Sequence, residues 1–156
     1  MDNKKLWTIK GIAIFLLIAY VILSCFPCGM KINRGTGAQA SAQSAFSWAL
    51  LIAAALQILF IFLNRPILQM FAGLYAAFAS VAMPARVYLQ NLIHDNIYYF
   101  RAPDGGGVNY RYVMTGLGWV VTGLACTLIV LDIVLAVVMH RQKKRCAQQP
   151  DVIIGG

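Results

Sequence analysis

The sequence has no glutamate and few charged residues of any kind. Its acidic residues are five aspartates, against 13 lysines and arginines, and charged residues make up 12% of the chain. Soluble domains carry about 25% charged residues, so this chain is too poor in charge to cover a water-facing surface. Isolated aspartates also argue against an enzyme that works with paired carboxylates.

Long apolar stretches with at most one charged residue divide the 156-residue chain. A helix needs about 20 apolar residues to cross a hydrocarbon layer of roughly 30 Å, and four stretches qualify, at about residues 7–27, 46–63, 66–85 and 112–139. Four such helices in so short a chain leave too little polar surface to cover them in water. We therefore predict an all-α polytopic membrane protein with four transmembrane helices in an antiparallel bundle.

Positive charges predict the orientation, because Lys and Arg near the ends of spans favour the cytoplasmic side. The N-terminus, the connection between the second and third spans, and the C-terminal tail together carry eight of them, and the two other loops carry five. We therefore expect both termini in the cytoplasm. In this prediction residues 1–10 form the cytoplasmic N-terminus, 11–139 the transmembrane domain and 140–156 a basic, disordered tail.

Small residues recur at helical spacing in three of the predicted spans, and such stripes let helices approach closely in lipid. The second, third and fourth spans should therefore form the tight core, with the first span at the periphery or against another subunit. The candidate packing residues are Ala45, Ala49 and Ala53 in the second span, Ala72, Gly73, Ala76, Ala77 and Ser80 in the third, and Gly118 and Thr122 in the fourth.

Two prolines predict the boundaries of the third span. Pro66 suits the first turn of a helix, and Asn64 before it can supply the cap. Pro84 is expected to end or kink the helix. Beyond Pro84, apolar residues recur at helical spacing among polar ones up to Phe100, which predicts an amphipathic helix along the lipid headgroups.

Two cysteines at the outer end of the first span form the motif CFPC at residues 25–28. In this spacing one thiol can attack a disulfide while the other resolves it, so Cys25 and Cys28 are candidate catalytic residues. The motif is similar to the active loops of DsbB-type and vitamin K epoxide reductase-type membrane proteins, and a redox role would bring a quinone as cofactor. The alternatives are a structural disulfide, two passive thiols, or a lipid on Cys25, because residues 22–25 have the shape of a lipoprotein signal ending.

Asp132 is the one acidic residue inside a predicted span. An ionisable residue at membrane depth is a candidate for ion or proton movement. The alternative is structural, a pair with Arg65 or a hydrogen bond to neighbours in its own helix. Because no second buried charge accompanies Asp132, we favour the structural alternative.

The first outer loop carries the pattern CGMK at residues 28–31, followed by TGAQA at 36–40 before the second span. This pattern resembles the first outer loop of a family of small uncharacterised four-helix bacterial membrane proteins. The likeness extends over the first two spans, and it differs where Ile32 and Asn33 stand in place of the family's usual Cys-His. The resemblance implies a location in the bacterial cytoplasmic membrane.

Together these features predict a non-enzymatic integral membrane protein that acts as an accessory, assembly or interaction subunit in the bilayer. The alternatives are a thiol–disulfide oxidoreductase and a small transporter or channel component that uses Asp132. We expect membrane lipids as partners, with a membrane protein or further copies of the chain. No nucleic acid is expected, because the basic residues are spread over both membrane sides. His94 and His140 also fall on opposite sides, so no metal site and no resident cofactor are expected.

Overall fold

The structure is a computed structural model that describes residues 3–34, 36–101 and 110–147. Most of these residues are helical, and three short strands stand between the helices. The helices are α1 (Asn3–Ser24), α2 (Trp48–Phe62), α3 (Pro66–Val81), α4 (Met83–Arg101) and α5 (Gly116–Ala147), and the strands are β1 (Pro27–Asn33), β2 (Gln39–Ser44) and β3 (Tyr110–Met114).

Three helical segments in the described residues are long and apolar enough to cross a membrane. They are Lys4–Ser24 in α1, Pro66–Ile93 across α3 and α4, and Gly116–Lys144 in α5. The apolar helix α2 has 15 residues, which gives it a length of about 22 Å. The prediction of membrane-spanning helices is therefore confirmed for three segments on length and composition, while α2 is shorter than the thickness it was expected to cross.

The all-α fold class has to be corrected, because the strands form an antiparallel sheet in the order β2-β1-β3. The hairpin between β1 and β2 closes through a turn in which Gly37 has a φ of +69°, a left-handed conformation that favours glycine. β3 then pairs with β1 from a distant part of the sequence. The strands follow α1 and precede α2 and α5, so the sheet lies at one end of the helices.

The two edges of this sheet differ. At the β3 edge, the side chain of Asn91 in α4 pairs with the backbone of Tyr112: its Nδ2 donates to the carbonyl at 2.9 Å, and its Oδ1 accepts from the amide at 2.7 Å. The amide group thereby replaces the neighbouring strand that an edge lacks. Strand β2 forms the opposite edge, and its residues are mostly exposed.

Helix α3 packs against both α2 and α5, and α1 also packs against α5. Tyr20 and Leu17 of α1 are buried in the main hydrophobic cluster together with Val121 and Leu128 of α5. A second cluster at the opposite end of the bundle joins the start of α1 to the end of α5.

Several boundaries differ from the sequence prediction. Helix α3 ends at Val81 and α4 begins at Met83, so the break expected at Pro84 is present. Helix α5 begins at Gly116, because the residues before it form β3. It also continues to Ala147, whereas residues 140–156 were expected to be a disordered tail. Residues 148–156 of that tail lie outside the described residues.

Candidate functional site

Asp132 stands in the middle of the buried face of α5. Buried residues recur along this helix at Ala125, Leu128, Asp132, Leu135 and Met139, which is the spacing of one helical face. The apolar members pack against other helices, and the position of Asp132 in this row brings its carboxylate into the centre of the bundle. The side chain is 0% exposed.

Two glutamines from neighbouring helices hold this carboxylate. Gln57 of α2 and Gln69 of α3 each donate an Nε2 hydrogen bond to Asp132 Oδ1, both at 2.7 Å. Both glutamines are also buried. The structural alternative named Arg65 or neighbours in the same helix as the partners of Asp132, whereas the partners in the structure lie on α2 and α3. We call Gln57, Gln69 and Asp132 the polar triad.

The polar triad is only partly satisfied. The oxygens Gln57 Oε1, Gln69 Oε1 and Asp132 Oδ2 are buried without a hydrogen-bond partner in the structure. A buried polar atom without a partner costs about 1–3 kcal/mol, so these three acceptors are energetically expensive. They give the bundle a region that can accept a proton or another hydrogen-bond donor.

Gly73 makes room for the triad. A Cβ built at Gly73 would collide with Asp132 Oδ2 and would lie 2.9 Å from Gln57 Nε2. Glycine is therefore required here by close approach, since the carboxylate of α5 occupies the space beside the α3 backbone. This gives a specific role to one residue of the small-residue stripe predicted for the third span.

A second buried polar cluster joins α1 to α3. The Tyr20 hydroxyl donates to the carbonyl of Ala76 at 2.9 Å and lies 2.8 Å from Ser80 Oγ. Since the single phenolic hydrogen points to Ala76, Ser80 is the donor in the second bond. The Ser80 carbonyl in turn lies 3.2 Å from the Thr122 hydroxyl of α5. These contacts tie three helices together with all the named hydroxyls paired.

The structure places the two candidate catalytic cysteines in different environments. Cys25 is exposed and Cys28 is buried, and both are free thiols. The thiol of Cys28 lies 3.3 Å from the carbonyl of Phe26, and a Cβ at Gly118 would collide with the Cys28 carbonyl. Cys28 therefore lies where the sheet is pressed against the start of α5, and the oxidoreductase alternative stays a prediction.

The other predicted packing residues divide between the interior and the surface. The buried ones are Ala53, Gly73, Ala76, Ala77, Ser80 and Gly118, the half-buried ones are Ala45, Ala72 and Thr122, and Ala49 is exposed. Ala49, Ala53 and Ala72 line an apolar groove of about 450 Å³ between α2 and α3 on the outside of the bundle. Part of the predicted packing stripe is thus left uncovered by this chain.

At the bundle end opposite the sheet, Lys10 is buried to 2% exposure. Its Nζ donates to Asn64 Oδ1 at 2.5 Å and lies 5.1 Å from the centre of the Trp7 ring. Asn64 has a φ of +51° in the turn between α2 and α3, a conformation that asparagine tolerates. The prediction that Asn64 caps α3 is wrong, because its side chain binds Lys10 and Arg65 holds the cap position.

A scan against protein-family models found no match for the chain, and neither did searches of curated proteins and of solved structures. The resemblance of the first outer loop to a bacterial membrane-protein family therefore stays a prediction.

Sequence reasoning missed three residues that the structure brings into these sites. Gln57 and Gln69 are the glutamines inside the second and third predicted spans, and a strongly polar side chain at membrane depth is a signal in its own right. Lys10 was counted as a boundary charge, because it precedes the apolar run of the first span. Its burial depends on the turn at Asn64, 54 residues away, which no local pattern reveals.

Proposed function

We propose that this protein is an integral membrane interaction subunit of the bacterial cytoplasmic membrane, with four helices spanning the bilayer and both termini in the cytoplasm. The three membrane-length segments support the span, and the excess of lysine and arginine at one end supports the orientation. In this proposal the sheet lies on the outer side. The short helix α2 crosses beside α3, in a locally thinned bilayer.

The observation that carries the proposal is the uncovered groove between α2 and α3. Nine residues line it, all of them apolar or aromatic: Ala49, Ile52, Ala53, Leu56 and Phe60 from α2, and Leu68, Phe71, Ala72 and Tyr75 from α3. Phe71 and Tyr75 among them are largely exposed. Ala49 is also exposed, so this member of the small-residue stripe of α2 is left uncovered by the chain, whereas Ala53 is buried.

A groove of this kind fits a transmembrane helix of another polypeptide. Helices associate in lipid chiefly through close van der Waals packing, and small residues permit the necessary approach. Lipid chains can fill the same groove, but they gain little from its three alanines because their disorder prevents close packing. We therefore propose a partner helix in this groove, and the chain acts by holding that partner in the membrane.

Photo-crosslinking in native membranes tests the groove. A photoreactive amino acid replaces Ile52, which lines the groove, or Val130, which is about equally exposed on α5 away from it. We expect a discrete protein adduct from position 52 and lipid adducts alone from position 130. An adduct of twice the chain mass would identify the partner as a second copy. Lipid adducts alone from both positions would overturn the proposal.

A matched pair of substitutions checks that the groove itself is responsible. Ala49→Phe fills the groove, whereas Ala55→Phe adds the same ring to an exposed position of α2 that does not line it. The adduct from position 52 should disappear in the first variant and persist in the second. Equal loss in both variants would show that the partner recognises α2 in general and not the groove.

A second candidate function, ion or proton movement, is favoured by the three unpaired oxygens of the polar triad. Asp132→Asn keeps the size of the side chain and removes its charge. In proteoliposomes with an imposed proton or sodium gradient, we expect the original chain to dissipate the gradient faster than this variant if Asp132 carries ions. Equal rates from the two proteins, with equal thermal stability, would remove this candidate.

A further inference from the structure

The cytoplasmic end of the proposed bundle contains a cavity that is rich in positive charge. It has a volume of about 590 Å³ and collects cations from three parts of the chain: Lys10 of α1, Arg65 of the turn between α2 and α3, and Lys143 of α5. Trp7 and Asn64 also line it. We propose that this cavity binds the phosphate headgroup of an anionic phospholipid.

Lys10 has no acidic partner among the residues that the structure describes. It is almost fully buried, and the groups that its Nζ contacts, Asn64 Oδ1 and the Trp7 ring, are both neutral. Asp132 is the one acidic residue whose side chain the structure describes, and its carboxylate is held by Gln57 and Gln69. A buried charge without an opposite charge is unfavourable. An anion supplied by the membrane would provide one.

A neighbouring cavity has a different, mostly apolar surface. A cavity of about 570 Å³ lies on the other side of Arg65 and Lys143 and shares both residues with the first. Its remaining walls are Pro66, Ile67 and Leu68 together with His140 and Lys144. The two shared cations therefore stand between a cavity of mixed polar and apolar surface and a mostly apolar one. A phospholipid can place its headgroup beside these cations and its acyl chain in the apolar cavity, whereas inorganic phosphate would use the first cavity alone.

The position of the first cavity also suits an anionic headgroup. Trp7 is exposed at the start of α1, and tryptophan favours the boundary between headgroups and acyl chains. Basic cavities between helices at the cytoplasmic side suit anionic headgroups. The inference requires that the chain spans a bilayer, but it does not depend on a partner in the groove between α2 and α3, so each can fail without the other.

The test measures lipid preference by native mass spectrometry. The full chain is purified in detergent and mixed with equal amounts of phosphatidylglycerol and phosphatidylcholine, and bound lipid is counted. The variant Arg65→Gln/Lys143→Gln removes two exposed cations that line both cavities. At about 1 kcal/mol for each cation near a headgroup, the preference for phosphatidylglycerol should fall about 30-fold.

The matched control is Lys5→Gln/Arg141→Gln. It removes the same charge from exposed residues at the same end of the helices, outside both cavities. We expect this variant to keep the preference of the original chain. An equal fall in both variants would overturn the inference, because general attraction to a basic surface would then be sufficient. Absence of any preference in the original chain would overturn it as well.

A competition experiment separates lipid from free phosphate. Inorganic phosphate at millimolar concentration is added to the complex with phosphatidylglycerol. Retention of the lipid is the expected result, because the acyl chain occupies the apolar cavity beside Arg65 and Lys143. Displacement of the lipid would overturn the phospholipid assignment and identify the cavity as a site for phosphate itself.

Discussion

The substitution Gly73→Ala addresses the buried polar triad directly. The added methyl group would lie 2.7 Å from Asp132 Cγ and 2.9 Å from Gln57 Nε2, and it would collide with Asp132 Oδ2. Either α3 must move away from α5, or the carboxylate must rotate and give up its hydrogen bonds with Gln57 and Gln69. The variant therefore tests whether the packing of these helices depends on the position of Asp132.

The expected magnitude follows from three contributions. Overpacking of a tight interior costs about 1–3 kcal/mol, and each lost hydrogen bond between membrane helices adds about 0.6 kcal/mol. Replacing glycine by alanine in a helix stabilises the helix by roughly 1 kcal/mol and so offsets part of this cost. The free energy of unfolding should therefore fall by about 1–3 kcal/mol.

Reversible unfolding in mixed micelles, followed by circular dichroism as SDS is added, measures this change. The control is Gly123→Ala on α5, where a Cβ would meet nothing within 4 Å. It should leave the unfolding free energy unchanged or raise it by up to about 1 kcal/mol. In an Asp132→Ala background the cost of Gly73→Ala should shrink, because the colliding carboxylate is absent. The same cost in both backgrounds would refute the reasoning.

Two further substitutions examine the sheet. Asn91→Ala removes both hydrogen bonds to the backbone of Tyr112. At about 0.5–1.5 kcal/mol for each bond, the backbone amide of Tyr112 should exchange hydrogen about 5- to 160-fold faster. Unchanged exchange would show that this edge is covered by another group. Gly118→Ala would collide with the Cys28 carbonyl and should increase thiol labelling of Cys28 severalfold. The control Gly116→Ala, where a Cβ meets nothing within 4 Å, should leave labelling unchanged; equal labelling of both variants would contradict this account of the contact.

The helical framework was accessible from the sequence because charge and apolar length report directly on membrane helices. Spacing of Lys and Arg located the segments of α1, α3 and α5, and Pro84 marked the break that the structure places between Val81 and Met83. These signals are local, since each depends on residues within one continuous segment of the chain. They can therefore be recognised without knowledge of the tertiary arrangement.

The sheet was not predicted, because one of its strands has a low strand propensity and its pairing depends on distant parts of the chain. Strand β2 has the sequence QASAQS, which lacks the β-branched and aromatic residues that favour strands. Its pairing with β1 depends on the turn around Gly37, and β3 joins from about 80 residues further along the chain. The prediction from apolar runs assigned the last residues of β3 to the fourth helix, because Tyr112 and Val113 are hydrophobic.

Only part of the candidate site could be predicted from the sequence. Asp132 was recognisable as the acidic residue inside a predicted span, and the structure buries its side chain at 0% exposure. Its partners were not recognisable, because the choice between Arg65 and the two glutamines depends on how α2, α3 and α5 face each other. The packing stripe of α2 was read correctly as a row of small residues, but the sequence does not say that Ala49 faces outwards.

The central claim is that the chain spans a membrane with the sheet on one side and the cation-lined cavity on the other. Single cysteines placed at Ser41 in β2 and at Lys5 in α1, in a chain without its native cysteines, test it in intact cells. A membrane-impermeant maleimide should label Ser41→Cys at once and Lys5→Cys only after the membrane is opened. Labelling of both positions from outside, or of Lys5→Cys alone, would contradict the account.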